Sequence, residues 1–202
     1  MGSPRFREEM LLATDHRRLV LDVLAQHIPT DPKETRDRDH IIDFVEDHAD
    51  CFGKANPTGH LTGSAFVVDA HGRVLLTYHR KLQRWLQVGG HTEPHEFDVA
   101  DAALREAREE SGLTDLVFHP AQGRRPIDVD VHRIPGRTKE AGHDHLDLRY
   151  VIFAPTPEAI VCSDESEDLR WFPLRDMQDL GFDPALRRAL AKTTELVHKE
   201  LS

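Results

Sequence analysis

A chain of 202 residues, 39% hydrophobic and 31% charged, fits one soluble globular domain, or one domain with an appended element. Its 36 acidic against 26 basic side chains leave a formal charge of −10, which argues against general binding of nucleic acid or of an anionic membrane. No apolar run approaches the roughly 20 residues of a membrane span, and the start lacks the order of a signal peptide. Cys51 and Cys162 are too few for a disulfide framework or a cysteine zinc site, so a cytoplasmic location is expected.

In chain order, Leu11, Leu12, Leu19, Leu21, Val23 and Leu24 recur mostly at helical spacing and predict a helix over 5–28. Pro29-Thr30-Asp31-Pro32 breaks that pattern. Thr30 or Asp31 can cap a second helix over about 33–49, whose apolar stripe is Ile41, Ile42, Phe44 and Val45. Cys51 to His60, with Gly53, Pro57 and Gly59, reads as a loop. Residues 1–58 are therefore expected to form a helical N-terminal extension, and 59–202 the main domain. An apolar stripe over 11–24 needs a partner, and a homodimer is one way to supply it.

From Leu61 the pattern changes. Ser64 to Val68 and Val74 to Tyr78 are short apolar runs separated by Asp69-Ala70-His71-Gly72, a hairpin signature. Trp85-Leu86-Gln87-Val88 is a further short strand ending at Gly89-Gly90. A helix follows from about 98 to 111, with Gly112 as its stop. Strands are expected at 115–119, 127–133, 146–154 and 169–172, and a closing helix at Arg187 to Leu201. This order indicates an α+β fold, a sandwich around a mixed sheet.

The helix after Gly90 carries the most informative chemistry. Glu106, Glu109 and Glu110 stand at i, i+3 and i+4, within roughly 100° of arc on one helix face. Like charges at these spacings destabilise a helix, so something must offset them. A divalent cation is the obvious candidate, and hard oxygen ligands suit Mg²⁺ or Mn²⁺. Arg108 points about 200° away from Glu106 and stays outside the group. Ala100, Ala103, Leu104 and Ala107 form the packing stripe, small enough to let helix and sheet approach closely.

The segment from Gly90 to Leu113 resembles the Nudix box, G-x5-E-x7-R-E-U-x-E-E-x-G-U with U aliphatic. Gly90 and Glu96 match its opening, and Arg105-Glu106-Ala107-Arg108-Glu109-Glu110-Ser111-Gly112-Leu113 its closing half. Eight residues, not seven, separate Glu96 from Arg105, which leaves open whether Glu96 or the nearby Glu93 plays the box's first acidic part. Trp85 to His91 and Glu167 to Leu174 are similar to flanking strands of Nudix hydrolases, and the likeness covers roughly 60–200. The helical extension lies outside the core pattern and is similar to that of a largely uncharacterised bacterial subgroup.

The resemblance implies a Nudix α/β/α sandwich and hydrolysis of a nucleoside diphosphate linked to another moiety, by attack of water on a phosphorus with Mg²⁺ or Mn²⁺. It implies a small-molecule nucleotide substrate, no nucleic-acid partner and no membrane. Glu109 and Glu110 are then metal ligands, Glu106 a third ligand or the base, and the Gly90 carbonyl part of the metal shell. Arg105 orients a carboxylate by bidentate pairing. The base is alternatively one of Asp164, Glu165, Glu167 and Asp168 in a later acidic loop. Arg80, Lys81, Arg133 and Arg149 are candidate phosphate contacts by charge type.

A second constellation comprises Asp128-Val129-Asp130-Val131-His132-Arg133-Ile134-Pro135 and His143-Asp144-His145-Leu146-Asp147-Leu148-Arg149-Tyr150. Alternation at period two puts His143, His145 and Asp147 on one face, which could bind a metal or a substrate phosphate. With Arg80, Lys81 and Arg149, the two histidines complete the candidate substrate contacts. A rival reading is a catalytically silent nucleotide sensor, motivated by the inserted residue and the helical extension. An isomerase on the same fold would want a cysteine in a Cys/His-rich context, and neither Cys51 nor Cys162 sits in one.

Overall fold

The structure is a computed structural model that describes residues 16–93, 96, 98–136, 141–162, 166–177 and 180–200. Its helices are α1 (16–26 of the described chain), α2 (Pro32–Asp47), α3 (Val99–Ser111) and α4 (Pro184–Glu200). Its strands are β1 (Gly59–Asp69), β2 (Arg73–His79), β3 (Arg84–Leu86), β4 (Val88–His91), β5 (Val117–Phe118), β6 (Asp128–Ile134), β7 (His143–Ala154) and β8 (Ser166–Pro173). No helix among the described residues is long and apolar enough to cross a membrane.

All eight strands belong to one mixed sheet. Its central path runs β3-β2-β1-β7-β5, while β4 pairs with β1, β6 with β7 and β8 with β2. The β1–β7 pair is parallel over 11 residues, from Gly59↔Asp144 to Asp69↔Ala154, and the other pairings are antiparallel. Residues expected to end a loop, Gly59 and His60, instead begin β1, and β7 starts three residues ahead of the expected 146. Both extensions have the same cause: the strands protect each other's backbone groups along their whole length.

Helices cover both faces, which confirms the α/β/α sandwich. On one face Leu61, Leu146, Leu148 and Tyr150 pack with Val20 and Leu24 of α1, with Ile41, Phe44 and Val45 of α2, and with Ala100 and Ala103 of α3. On the other, Phe66, Val68 and Val151 pack with Phe182 and with Leu186, Ala189 and Leu190 of α4. Val20 and Leu24 of α1 are thus buried within the chain and Leu21 packs beside them, while Leu19 of the expected stripe stays exposed. Leu11 and Leu12 lie outside the described residues.

Asp31 caps α2 by accepting a hydrogen bond from the Glu34 amide at 2.8 Å, with Pro32 at the first position. Buried charges then tie the extension to the domain. Glu34, fully buried, accepts from His27 Nε2 and the Thr30 amide, both at 2.7 Å, and pairs with Lys192 of α4. Arg188 of α4 bridges Asp128 of β6, at 2.7 Å, to Asp31, at 3.1 Å.

Burial works to raise the Glu34 pKa, but hydrogen bonds from His27, Lys192 and the Thr30 amide outweigh it and hold the carboxyl well below its ordinary 4.5. The carboxylate's contribution is therefore complete above that ordinary value and is lost as pH falls toward the lower folded pKa. Glu34→Gln is expected to cost about 3 kcal/mol at pH 7. Denaturant titrations should show the gap to wild type narrowing as pH falls below about 4.5; a gap that widens in acid contradicts this account.

Candidate active site

Two glycines place the acidic helix. In β4, Gly89 opposes Ser64 and Gly90 opposes Gly63 of β1. Gly89 has φ +148°, and a Cβ there would lie 2.5 Å from the Ser64 Cα, so the turn into β4 admits only glycine. A Cβ on Gly63 would lie 2.5 Å from the Val99 carbonyl and 3.0 Å from the Ala103 nitrogen, so α3 rests on bare strand backbone. Val99, Ala100, Ala103 and Ala107 are buried there, as the small-residue stripe predicts, while Leu104 is half-buried. Asp98 caps the helix by accepting from the Ala100 amide, and Gly112, left-handed at φ 72°, ends it.

This packing delivers the carboxylates to β4. The Gly89 amide donates to Glu110 Oε1 at 2.7 Å. Glu106 lies over Gly90 so closely that a Cβ on the glycine would sit 2.5 Å from the carboxyl carbon. Arg105 stands among the acids. Its Nε and one terminal nitrogen grip Glu96 through both carboxylate oxygens at 2.8 and 3.1 Å. The other terminal nitrogen donates to Glu106 at 3.0 Å and Glu109 at 2.8 Å, and the His91 carbonyl also accepts at 2.8 Å. The Glu96 pairing, acting against partial burial, raises the Arg105 pKa above its ordinary value.

Glu96 therefore meets the box arginine despite the inserted residue. Glu93 is exposed, and its backbone amide donates to Glu96 Oε2 at 2.9 Å, which closes the loop ahead of the helix. Arg105 also supplies part of the offset that the like charges demand. Among these described side chains, four carboxylates gather around one guanidinium or on the strand beside it. Arg108 stands apart and donates to the Leu116 carbonyl at 3.0 Å.

Other candidates fall elsewhere. Arg80 and Lys81 occupy the exposed tip between β2 and β3, with Arg80 reaching the Ser166 carbonyl at 3.4 Å. Glu167 accepts from Gln83 of the same tip at 3.3 Å, and Asp168 pairs with Arg170. Asp164 and Glu165 lie outside the described residues. Arg133 is bound to Asp144 at 3.0 Å. Arg149 is 4% exposed and turned inward, ringed by Asp147 at 3.1 Å, Asp128 at 3.3 Å and Asp130 at 3.0 Å. Cys51 is buried and its thiol is pushed up to about 12 by burial, which leaves no nucleophile there.

The sheet face behind β4 holds five histidines. His143 and His145 do share a face of β7 with Asp147; register joins to them His132, from the other half of that constellation, and two residues the sequence reading did not single out, His60 and His91. His60 of β1 and His132 of β6 both oppose His145, and His91 opposes Thr62 of β1. The His60 ring lies 4.9, 4.9 and 5.0 Å from those of His91, His143 and His145. The His91 and His145 Nε2 atoms are 3.2 Å apart. Burial, then the charge of Lys54 and neighbouring rings, lowers the His91 pKa to about 3; burial, then His91 and His132, lowers that of His145 to about 2. Asp147 turns from the rings to Thr62 at 3.1 Å and Ser64 at 2.8 Å.

The NUDIX domain's sequence model matches residues 59–193, and the chain belongs to the Nudix family. Its structure is similar to that of an Ap4A hydrolase from C. elegans in a binary complex, at 18% identity and a TM-score of 0.53, over 69% of this chain and 98% of that one. It is also similar to a NUDIX-family hydrolase from Clostridium perfringens, at 26% identity and a TM-score of 0.49, over 70% of this chain and 97% of that one. Among curated proteins, none matches this chain.

The two glycines that contact α3 make different demands. Gly90→Ala meets the movable end of Glu106, and its expected cost is under about 1 kcal/mol because only a half-exposed ion pair has to shift. Gly63→Ala meets helix backbone, and about 2 kcal/mol or more is expected, with a lower thermal midpoint. Equal losses in a denaturant titration would contradict the helix–strand packing described.

Proposed function

We propose that the chain is a hydrolase that uses Mg²⁺ or Mn²⁺ to cleave the diphosphate of a nucleoside diphosphate linked to another moiety, with water attacking a phosphorus. One observation carries this reading: Arg105 gathers Glu96, Glu106 and Glu109 beside Gly90, while Glu110 binds the Gly89 amide. The donors gathered there are hard carboxylate oxygens, which fit a small divalent ion.

In this reading Glu109 and Glu110, with the Gly90 carbonyl, hold the ion, and Glu106 completes the set or takes the proton of the attacking water. A bound divalent ion supplies neutralisation of the diphosphate and a lowered pKa for that water. Arg105 is a positioning residue: its bidentate grip on Glu96 leaves its remaining nitrogen to orient Glu106 and Glu109. Arg80 and Lys81, on their exposed tip, are offered as phosphate contacts. Residues 1–58 are taken as an extension on a catalytic domain of 59–202, and the substrate as a small-molecule nucleotide.

The test is a panel of ADP-ribose, NADH, dinucleoside polyphosphates, nucleotide sugars and nucleoside triphosphates, assayed with Mg²⁺ or Mn²⁺. Orthophosphate or nucleoside monophosphate should be released from at least one, and EDTA should stop it. Glu110→Gln is expected to lower kcat/KM by about 10³-fold or more, the equivalent of several kcal/mol of charge stabilisation, while the protein stays folded. Full activity in that variant sinks the assignment. Binding without turnover at any divalent ion would make the chain a nucleotide sensor instead.

A further inference from the structure

The five histidines behind β4 are given no role in that reading. They come from four different strands: His60 from β1, His91 from β4, His132 from β6, and His143 and His145 from β7. We propose that they form a second metal site, built for one transition-metal ion of the Zn²⁺ class, with His60, His143 and His145 as ligands and His91 as the fourth.

Geometry supports the assignment. One ring nitrogen from each of His60, His143 and His145 lies within 4.8 Å of the others. The 3.2 Å between His91 Nε2 and His145 Nε2 is close to the roughly 3.3 Å that separates two nitrogens of a tetrahedral zinc site with bonds near 2.05 Å. Binding a metal would draw the other nitrogens in to that spacing by side-chain rotation, on backbone positions that strand register sets. His143 Nδ1 donates to the Ala141 carbonyl at 3.2 Å, which fixes the tautomer and leaves Nε2 with its lone pair. His132, half-exposed at the rim, donates its Nδ1 proton to Asp130 at 3.2 Å and is likewise left with Nε2.

Donor chemistry separates this site from the acidic one. Four imidazole nitrogens without a carboxylate suit Zn²⁺, Co²⁺, Ni²⁺ or Cu²⁺ and disfavour Mg²⁺, while the glutamates present oxygen alone. The nearby carboxylate of Asp147 is engaged by Thr62, Ser64 and Arg149. A phosphate would need positively charged rings, and imidazoles packed this closely out of water oppose that charge. The two sites share one strand: Gly89 and Gly90 meet the glutamates, and the next residue, His91, turns its ring to the histidines.

The full chain, stripped with EDTA and dialysed, would be titrated with Co²⁺ and then Zn²⁺. The expected result is intense visible d–d absorption that saturates at one Co²⁺ per chain, is displaced by one equivalent of Zn²⁺ and persists in excess Mg²⁺. Zn²⁺ should also raise the thermal midpoint. A His143→Asn, His145→Asn variant should lose the absorption, and a Glu109→Gln, Glu110→Gln variant should keep it. His91→Gln, a milder change on a short strand, should weaken Zn²⁺ binding by at least about tenfold. A wild-type spectrum like that of hydrated Co²⁺, or undiminished absorption and Zn²⁺ affinity in the histidine variants, overturns the proposal. None of these readouts depends on hydrolysis, so the outcome is independent of the glutamate assignment.

Discussion

Everything else in this molecule hangs on the parallel pairing of β1 with β7. Eleven consecutive residues of each strand are matched, and β1 and β7 hold β4, β2, β6 and β5 along their outer edges. A parallel pair needs a long crossover and cannot be set by a local turn, so hydrophobic matching on both faces has to fix its register. A slip by one residue would turn His60 and Thr62 into the apolar core and Leu61 and Gly63 out of it. The same register therefore seats α3 on Gly63 and lines up the histidines.

β4 turns that frame into chemistry. It is four residues long, and it carries the contact between the sheet and the acidic helix. At Gly90 the Glu106 carboxylate occupies the space that a Cβ would fill, at Gly89 the Ser64 backbone does, and Gly89 also offers its amide to Glu110. Arg105 then limits the repulsion among the acids by pairing with three of them at once. On the other face of the strand His91 stands within 5 Å of the His60 and His145 rings.

Polar burial extends well beyond the site. Arg149 with Asp128, Asp130 and Asp147, and Arg188 and Lys192 with Asp31, Glu34 and Asp128, join β6, β7, α4 and the N-terminal helices into one ionic network. Such buried pairs add little net stability compared with apolar packing, but removing one partner is costly because a charge is left stranded. That asymmetry explains how a helical extension becomes inseparable from the domain it covers: α2 could not leave without exposing apolar side chains and unpairing Glu34 together.

Local patterns were legible in the sequence because their causes are local. Helical spacing marked α2, α3 and α4, a cap opened α2, a glycine closed α3, and i, i+3, i+4 spacing gathered Glu106, Glu109 and Glu110. Period-two alternation likewise put His143, His145 and Asp147 on one face. What spacing could not give was register across residues far apart in the chain. The partnership of Glu96 with Arg105 depended on how a loop closes around an extra residue, and Arg149, read as a phosphate contact from its charge, is drawn inward by three acids on neighbouring strands. His60 and His91 join the histidine face because β1 and β4 pair where they do. Spacing along the chain sets which residues can share a helix or strand face; which faces meet follows from strand pairing and burial, because those are settled by the whole core at once.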